Sequence, residues 1–196
     1  MSEPDARARP GLLVVISGPS GAGKTMIARG LERRIAGSVF SVSMTTRPRT
    51  DRDREGVDYF FVDSDRFEQV RADGGFLECA DVFGRRYGTP RAWVEQQLVE
   101  GKVVILEIDV AGGKQVHARI PEMLGLLVLP PSEEALLDRL RARGRDDEDE
   151  IARRFAQAKS EMEEARACGA YDEFVVNDDL DRAIEEAVAI VRRRRG

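Results

Sequence analysis

Short apolar runs alternate along the chain with longer segments that are apolar on one side only. The runs at residues 12–17, 103–108 and 124–129, which are apolar apart from Ser17, Glu107 and Gly125, are typical of parallel strands covered on both faces. Further strands are predicted at 39–42, 57–62, 76–82 and 174–176. Helices are predicted at 24–35, 65–72, 111–119, 133–142, 148–167 and 179–194. Another helix is predicted to open at Pro90, with Thr89 as its cap, and to stop at Gly101.

Repeated strand–helix alternation predicts an α/β fold, a parallel sheet with helices on both faces. Residues 45–89 break this rhythm with short strands and aromatic side chains, and we interpret them as an inserted lobe. A single domain at 11–196 would then have its core in 11–44 and 90–196. A charged, glycine-marked segment at about 140–152 is expected to form a mobile cover, and residues 1–10 a disordered tail.

A glycine-rich loop follows the first apolar run. Residues 18–25 read Gly-Pro-Ser-Gly-Ala-Gly-Lys-Thr, the pattern of a phosphate-binding loop (P-loop) between a buried strand and a helix. Its glycines let backbone N–H groups wrap around phosphates. Lys24 can reach the β- and γ-phosphates of a nucleotide, and the Thr25 hydroxyl can hold Mg²⁺. A turn without a ligand is the competing interpretation. The nucleotide-contacting set is Gly18, Pro19, Ser20, Gly21, Ala22, Gly23, Lys24 and Thr25.

Composition narrows the class of protein. The chain has 196 residues, 42% hydrophobic and 34% charged, and a net charge of −5, which argues against a general nucleic-acid binder. Cys79 and Cys168 lie far apart without metal-type spacing, so no disulfide framework is expected. Without a membrane-length apolar run or a signal-peptide core, a cytoplasmic protein is expected, with no membrane partner. The acidic run at 146–150 is expected to form the first turn of a helix and the basic run at 192–195 the last turn of another, where each charge complements the helix dipole. A nucleic-acid-binding tail is the alternative for the basic run.

Six further segments resemble the guanylate kinase family. The first two are Ser-Val-Ser-Met-Thr-Thr-Arg-Pro-Arg at 41–49 and Gly-Val-Asp-Tyr-Phe-Phe at 56–61. The others are Phe-Leu-Glu at 76–78, Tyr-Gly-Thr at 87–89, Glu-Ile-Asp at 107–109 and Val-Asn-Asp-Asp at 176–179. They occur in the family's order over about residues 12–192. The resemblance implies a P-loop NTPase-type core, a GMP-binding lobe, a lid, and ATP and GMP as small-molecule substrates.

Recognition of guanine can also be argued from chemistry. Guanine presents two adjacent donors, N1–H and the 2-amino group, and the Glu78 carboxylate can accept both. Adenine has an acceptor at N1 and would be left unpaired in a closed site, which disfavours it. The alternative is that Glu78 is a partly buried structural acid. Ser43 and Thr89 match the family's guanine-contacting hydroxyls, and Thr89 could serve both there and as a helix cap.

The resemblance assigns the GMP phosphate to Arg47, Tyr59 and Tyr87. The planar fork of Arg47 suits phosphate oxygens. The family's second arginine falls on Thr50 here, and we expect Arg49 to replace it after a shift of one residue. Arg52 is another candidate, and a site with a single arginine remains possible.

By the same resemblance, Asp109 orients GMP, and Glu107 with Asp109 holds Mg²⁺ through water, beside Thr25. The family usually has aspartate at 107. Arg139, Arg143 and Arg154 match lid-side arginines that embrace the phosphates of ATP, although each could be a solvated helix residue. Asn177 is expected to touch the adenine edge. Lys24, Arg47, Arg143 and Arg154 form the expected catalytic set.

These assignments predict transfer of the γ-phosphoryl group of ATP to GMP, giving GDP, with dGMP as a further expected substrate. Three alternatives stay open: a related kinase of another phosphorylated ribose or nucleotide, a non-catalytic module that binds peptides on the GMP lobe, and a generic P-loop ATPase. The sequence does not decide between a monomer and a homo-oligomer.

Overall fold

A five-stranded parallel sheet forms the centre of the molecule. The computed structural model describes residues 10–82, 84–142 and 147–196. The sheet has the order β2-β7-β1-β8-β9, and each neighbouring pair is parallel. Its strands are β1 (Leu12–Ser17), β2 (Ser38–Phe40), β7 (Val103–Glu107), β8 (Leu124–Leu129) and β9 (Glu173–Val176). The predicted fold class is confirmed.

Both faces of this sheet are covered by helices. Alternate residues of β1 point to opposite sides, so that Val14 and Ile16 belong to one apolar cluster and Leu13 and Val15 to another. The first cluster includes residues of α1 (Lys24–Arg34) and α7 (Leu180–Arg195). The second includes residues of the helices at 91–99, 110–119 and 148–167. The remaining helices are α2 (Ser64–Ala72), α3 (Arg91–Val99), α4 (Val110–Arg119), α5 (Glu133–Ala142) and α6 (Glu148–Ala167).

A second, smaller sheet is built from the segment that breaks the alternation. Its order is β4-β3-β6-β5, with β3 parallel to β4 and antiparallel to β6, and β6 antiparallel to β5. The strands are β3 (Met44–Thr45), β4 (Phe60–Phe61), β5 (Phe76–Val82) and β6 (Arg85–Pro90). The Phe67 ring of α2 lies 4.6 Å from the Phe76 ring, centroid to centroid. The boundaries drawn above for a lobe and a lid stay predictions.

The local expectations failed mainly around this second sheet. Only Phe60–Phe61 of the strand predicted at 57–62 is formed, and β3 and β6 were not predicted. The expected cap at Thr89 is wrong: Thr89 lies within β6, α3 begins at Arg91, and no side chain caps it. Short strands carry too little apolar alternation to be found from the sequence.

Aspartates begin four of the helices. The side chains of Asp63, Asp109, Asp147 and Asp179 each accept a hydrogen bond from a backbone N–H in the first turn. The basic run at 192–195 forms the last turn of α7, as expected. Both cysteines are free thiols. None of the described helices has the length and apolar character needed to cross a lipid bilayer. Residues 1–9, most of the predicted tail, lie outside the described residues.

Candidate active site

The P-loop connects β1 to α1 in a conformation that depends on glycine. Gly18, Gly21 and Gly23 have φ angles of 145°, 93° and 95°, which other residue types rarely adopt. A Cβ atom on Gly18 would lie 2.2 Å from the Val128 carbonyl oxygen. One on Gly23 would lie 2.2 Å from Nδ2 of Asn177. The loop therefore needs glycine for both its backbone angles and its close packing.

The loop is braced by three side chains. Lys24 Nζ donates to the carbonyl oxygens of Gly18, at 2.6 Å, and Pro19, at 3.1 Å. The buried Asn177 side chain donates from Nδ2 to the Ala22 carbonyl oxygen at 2.7 Å. Arg139 in turn donates from one terminal nitrogen to the Asn177 carbonyl oxygen at 2.7 Å. Asn177 and Arg139 thus support the loop, while their expected contacts with ATP stay predictions.

Oxygen-bearing side chains gather where α1 begins and β7 ends. Thr25 Oγ1 donates to Glu107 Oε1 at 2.7 Å. Asp109 accepts the Gly112 backbone N–H at 2.6 Å on Oδ1, because it also caps α4. Among the described residues, no three acidic, histidine or cysteine side chains are grouped closely enough to hold a metal ion by themselves. A cation here would need ligands from a bound substrate in addition.

Seven of the predicted side chains, including five of the eight assigned to GMP, meet in one cavity of about 320 Å³ between the two sheets. Its lining consists of Lys24, Ser43, Tyr59, Glu78, Ala80, Tyr87, Glu107, Ile108 and Asp109. A second cavity of about 410 Å³ lies over the P-loop and is lined by Ser20, Gly21, Gly23, Lys24, Thr25, Met26 and Glu107. Lys24 and Glu107 line both cavities, so the two adjoin at these side chains. Ala80 and Ile108 were not predicted, since nothing distinguishes them from core residues in the sequence.

Glu78 is the most buried acid of this site. It is 3% exposed, and its Oε1 accepts a hydrogen bond from Thr89 Oγ1 at 2.6 Å. Burial raises the pKa of Glu78 to about 7, and the nearby Asp109 carboxylate acts in the same direction. The Thr89 hydrogen bond and the positive charge of Arg119 oppose the rise. Thr89 therefore orients the Glu78 carboxyl group, and burial makes its ionised form costly because the charge is desolvated.

Arg47 is fixed by a partner that the sequence analysis missed. Its two terminal nitrogens donate to the two carboxylate oxygens of Asp53, at 3.0 and 2.8 Å. The guanidinium carbon lies 5.3 Å from the ring centroids of both Tyr59 and Phe61. Thr50 also donates to Asp53, from its backbone N–H and its hydroxyl. Because of these donors, the pKa of Asp53 is held far below its ordinary value.

The sequence indicates only weakly that Asp53 is the partner of Arg47. Asp53 stands in the run Arg-Thr-Asp-Arg-Asp-Arg at 49–54, where several acids could pair with Arg47. Only the turn formed by residues 50–53, closed by the Asp53 N–H to the Thr50 carbonyl oxygen, selects it. Exposed Arg49 donates from Nε to the Asp53 carbonyl oxygen at 3.1 Å, and Arg52 is also exposed. The choice between these two arginines stays a prediction.

The remaining predicted side chains lie around the cavities or beyond the described residues. Tyr59 and Tyr87 pack edge to face, with their ring centroids 5.6 Å apart. Arg154 donates from Nε to Glu150 Oε1 at 3.5 Å within α6 and lines neither cavity. Arg143 and the neighbouring part of the predicted lid lie outside the described residues.

Comparison with known proteins gives a consistent result. A family model described as guanylate kinase matches residues 11–194. A guanylate kinase of Anaeromyxobacter dehalogenans is 48% identical over 187 residues, which are 95% of this chain and 82% of that protein. One of Alkalilimnicola ehrlichii is 47% identical over 95% of this chain and 90% of that protein.

Solved structures agree. The crystal structure of guanylate kinase from Anaplasma phagocytophilum has a TM-score of 0.73 and 29% identity, covering 95% of this chain and 87% of that one. A shikimate kinase from Bacteroides thetaiotaomicron, 16% identical with a TM-score of 0.50 over 93% of this chain and 96% of that one, shares the fold alone. The matching family model and the two guanylate kinases that are 48% and 47% identical show that the chain belongs to the guanylate kinase family.

Proposed function

We propose that this chain catalyses the transfer of the γ-phosphoryl group of ATP to the 5′-phosphate of GMP, giving ADP and GDP. Family membership supports this activity. The observation that carries the argument for these residues is the pair of adjoining cavities that share Lys24 and Glu107. Two substrates bound there would meet with their phosphates at the Lys24 ammonium group. That arrangement suits transfer between two bound phosphates.

The acceptor base would bind against Glu78. When ionised, its carboxylate accepts the N1–H and 2-amino hydrogens of guanine, while Thr89 holds one of its oxygens. Ser43 lines the same cavity and offers a hydroxyl to the base. Adenine would place an acceptor against the carboxylate, so discrimination of roughly 10⁴-fold is the order expected for a site of this kind.

The acceptor phosphate would bind near Arg47 and the two tyrosines. Asp53 holds one edge of the Arg47 guanidinium, and the group has five N–H donors in all. Donors remain on the same planar group for phosphate oxygens. Tyr59 and Tyr87 add hydroxyl donors at the wall of the cavity. We propose Arg49 as the second phosphate-binding arginine, since it directly precedes the turn formed by residues 50–53 and donates to the Asp53 carbonyl oxygen.

The donor ATP would lie over the P-loop, with Mg²⁺ at Thr25 and Glu107. A hydroxyl and a carboxylate oxygen 2.7 Å apart are the oxygen ligands that Mg²⁺ prefers, and few protein ligands suffice when phosphates supply others. We propose Asp109 as a further, water-mediated ligand. Held by these residues, Mg²⁺ would supply positive charge that offsets the negative charge of the phosphates. Asn177 is proposed to contact the adenine edge.

Catalysis then rests on alignment and charge, and no covalent intermediate is required. Lys24 lines both cavities, and its ammonium group would stabilise the negative charge of the transferred group. Arg139, Arg143 and Arg154 are proposed to add positive charge from the lid side. Closure of the lid and the lobe over the substrates would exclude water and so suppress ATP hydrolysis.

A coupled assay for ADP formation tests the proposal. GMP, AMP, UMP and ribose bisphosphate are offered separately with ATP and Mg²⁺. We expect rapid turnover with GMP alone, and slower ADP formation when no acceptor is present. Preference for another acceptor would indicate the related kinase, and ADP formation independent of any acceptor would indicate a simple ATPase. Failure to bind ATP in calorimetry would favour the non-catalytic module.

A further inference from the structure

The strand that carries Glu78 is irregular at that residue. β5 is one of the two edge strands of the second sheet. Its pairing with β6 runs from Phe76 opposite Pro90 to Cys79 opposite Gly88, so β5 contains one residue more than β6 in this stretch. Glu78 lies inside this β-bulge. Bulges redirect a side chain and interrupt the sheet's hydrogen bonds, so the local backbone needs other partners.

Helix α4 supplies those partners from one face. Gln115 donates from Nε2 to the Cys79 carbonyl oxygen at 3.1 Å and accepts the Cys79 N–H on Oε1 at 3.3 Å. Arg119, one turn later, donates to the carbonyl oxygens of Phe76, at 3.2 Å, and Leu77. The two side chains thus hold the backbone on both sides of Glu78. A side-chain amide that pairs with both backbone groups of one residue imitates a neighbouring strand.

The same helix face also limits the position of the Glu78 carboxylate. A Cβ atom on Gly112 would lie 3.0 Å from Glu78 Oε2 and 3.2 Å from Asp109 Oδ1. Residues 112, 115 and 119 follow the spacing of neighbours on one side of a helix. Since Asp109 caps α4, this helix connects the end of β7 in the central sheet directly to the bulge of the second sheet.

We propose that Gln115 is a positioning residue for guanine selectivity: by pairing with both backbone groups of Cys79, it holds the β5 bulge so that the Glu78 carboxylate faces the cavity beside Asp109. The inference rests on the proposed function. Accepting two adjacent donors of guanine at once requires a fixed carboxylate plane, whereas accepting one donor does not. Loss of the Gln115 contacts should therefore weaken recognition of the 2-amino group most.

The test replaces Gln115 with methionine, which has similar length and volume but cannot pair with Cys79. Steady-state kinetics are measured with GMP and with inosine monophosphate, which keeps N1–H and lacks the 2-amino group. We expect the KM for GMP to rise about tenfold, the order for losing two neutral hydrogen bonds. The preference for GMP over inosine monophosphate should narrow, while kcat at saturating GMP and the KM for ATP stay unchanged.

Gln97→Met is the matched control. Gln97 is another helical glutamine with a side-chain hydrogen bond: it is buried, and its Oε1 accepts from Lys102 Nζ at 2.8 Å, outside both cavities. This variant should lower Tm and leave both nucleotide constants at wild-type values. Gln115→Asn, which keeps the amide but is one methylene shorter, covers the case in which methionine prevents folding, and should raise the KM for GMP in the same way.

Unchanged GMP constants in a folded Gln115 variant, or equal changes for GMP and ATP, would overturn the inference. A wild-type protein that does not phosphorylate GMP would instead refute the proposed function, and the inference with it. The two failures are distinguishable, because the second is seen without any substitution.

Discussion

The central sheet and the second sheet are each stabilised by a different balance of apolar burial and ion pairs. Every residue of β8 in the central sheet is buried and apolar apart from Gly125. In the second sheet Phe60 is 40% exposed, and ion pairs such as Arg47–Asp53 and Arg86–Glu68 connect its segments. Burial is non-directional, whereas hydrogen-bonded ion pairs fix angles. We therefore expect substitutions in the central sheet to change stability and those in the second sheet to change recognition of the acceptor.

The largest expected effect belongs to a residue at the junction between these regions. Lys24→Ala removes the ammonium group that lines both cavities. Turnover should fall by several orders of magnitude, on the scale of losing a preorganised charge in a closed site, while the circular dichroism spectrum stays that of the wild type. Lys114→Ala is the control, since Lys114 is exposed and pairs with Glu164. Near-normal turnover of Lys24→Ala would contradict its assigned role.

Glu78→Gln should weaken recognition of GMP far more than binding of ATP. Glutamine keeps an oxygen for Thr89 but cannot accept both guanine donors, so the KM for GMP should rise roughly 10²-fold or more while the KM for ATP changes little. Glu95→Gln, on α3 and exposed, is the control. Equal losses for both nucleotides would show that Glu78 has a structural role instead.

The difference in the free energy of unfolding between Glu78→Gln and the wild type should depend on pH. The pKa of Glu78 is raised from 4.5 to about 7 in the folded protein, so the folded state binds the proton more tightly than the unfolded chain does. The contribution of this carboxyl group to the free energy of unfolding therefore falls as the pH rises from 4.5 through about 7, by about 3 kcal/mol. Glu78→Gln should be more stable than the wild type at pH 8 and equal to it near pH 4. Urea unfolding at both pH values measures this, and a variant less stable at pH 8 would contradict it.

Recognition of GMP should depend on pH through the same group. Only the ionised carboxylate accepts both guanine donors, so the KM for GMP should fall as the pH rises from 6 to 8. Asp109 and Arg119 also face this carboxyl group. The dependence should be much weaker in Glu78→Gln, where the ionisation of the GMP phosphate at about pH 6 remains.

The two sheets also differ in how well the sequence predicts them. The three inner strands β1, β7 and β8 were predicted within one residue at each end, because long apolar runs have one favourable environment. The P-loop was found from its spacing alone. In the second sheet, Glu78, Tyr59 and Tyr87 were identified through resemblance, and the β5 bulge and the Asp53 partner of Arg47 were not. Both depend on contacts between segments distant in sequence or on one choice among several acids, which no local pattern encodes.

Shortening a buried side chain in the central sheet tests the expectation that this sheet determines stability and not recognition of the acceptor. Leu127 is fully buried in β8, and Leu127→Ala should lower the free energy of unfolding by about 3 kcal/mol through lost burial and a cavity. At temperatures where the variant is folded, its KM for GMP should equal that of the wild type. Val99→Ala, at a position that is 89% exposed, should change stability by less than about 0.5 kcal/mol. A raised KM for GMP in Leu127→Ala would show that the two regions are not separable.

Asp53→Asn should have the smallest effect and be confined to recognition. Asparagine places an amide N–H₂ where one carboxylate oxygen accepts from Arg47, so the guanidinium loses its fixed orientation toward the acceptor phosphate. The KM for GMP should rise about fivefold to tenfold without a change in kcat, the behaviour of lost ground-state binding. Exposed Asp51→Asn, in the same turn, is the matched control. Because the pKa of Asp53 lies far below its ordinary value, the effect should be constant from pH 6 to 9, unlike that of Glu78. A lower KM in Asp53→Asn would mean that Asp53 competes with the phosphate for Arg47 instead of orienting it.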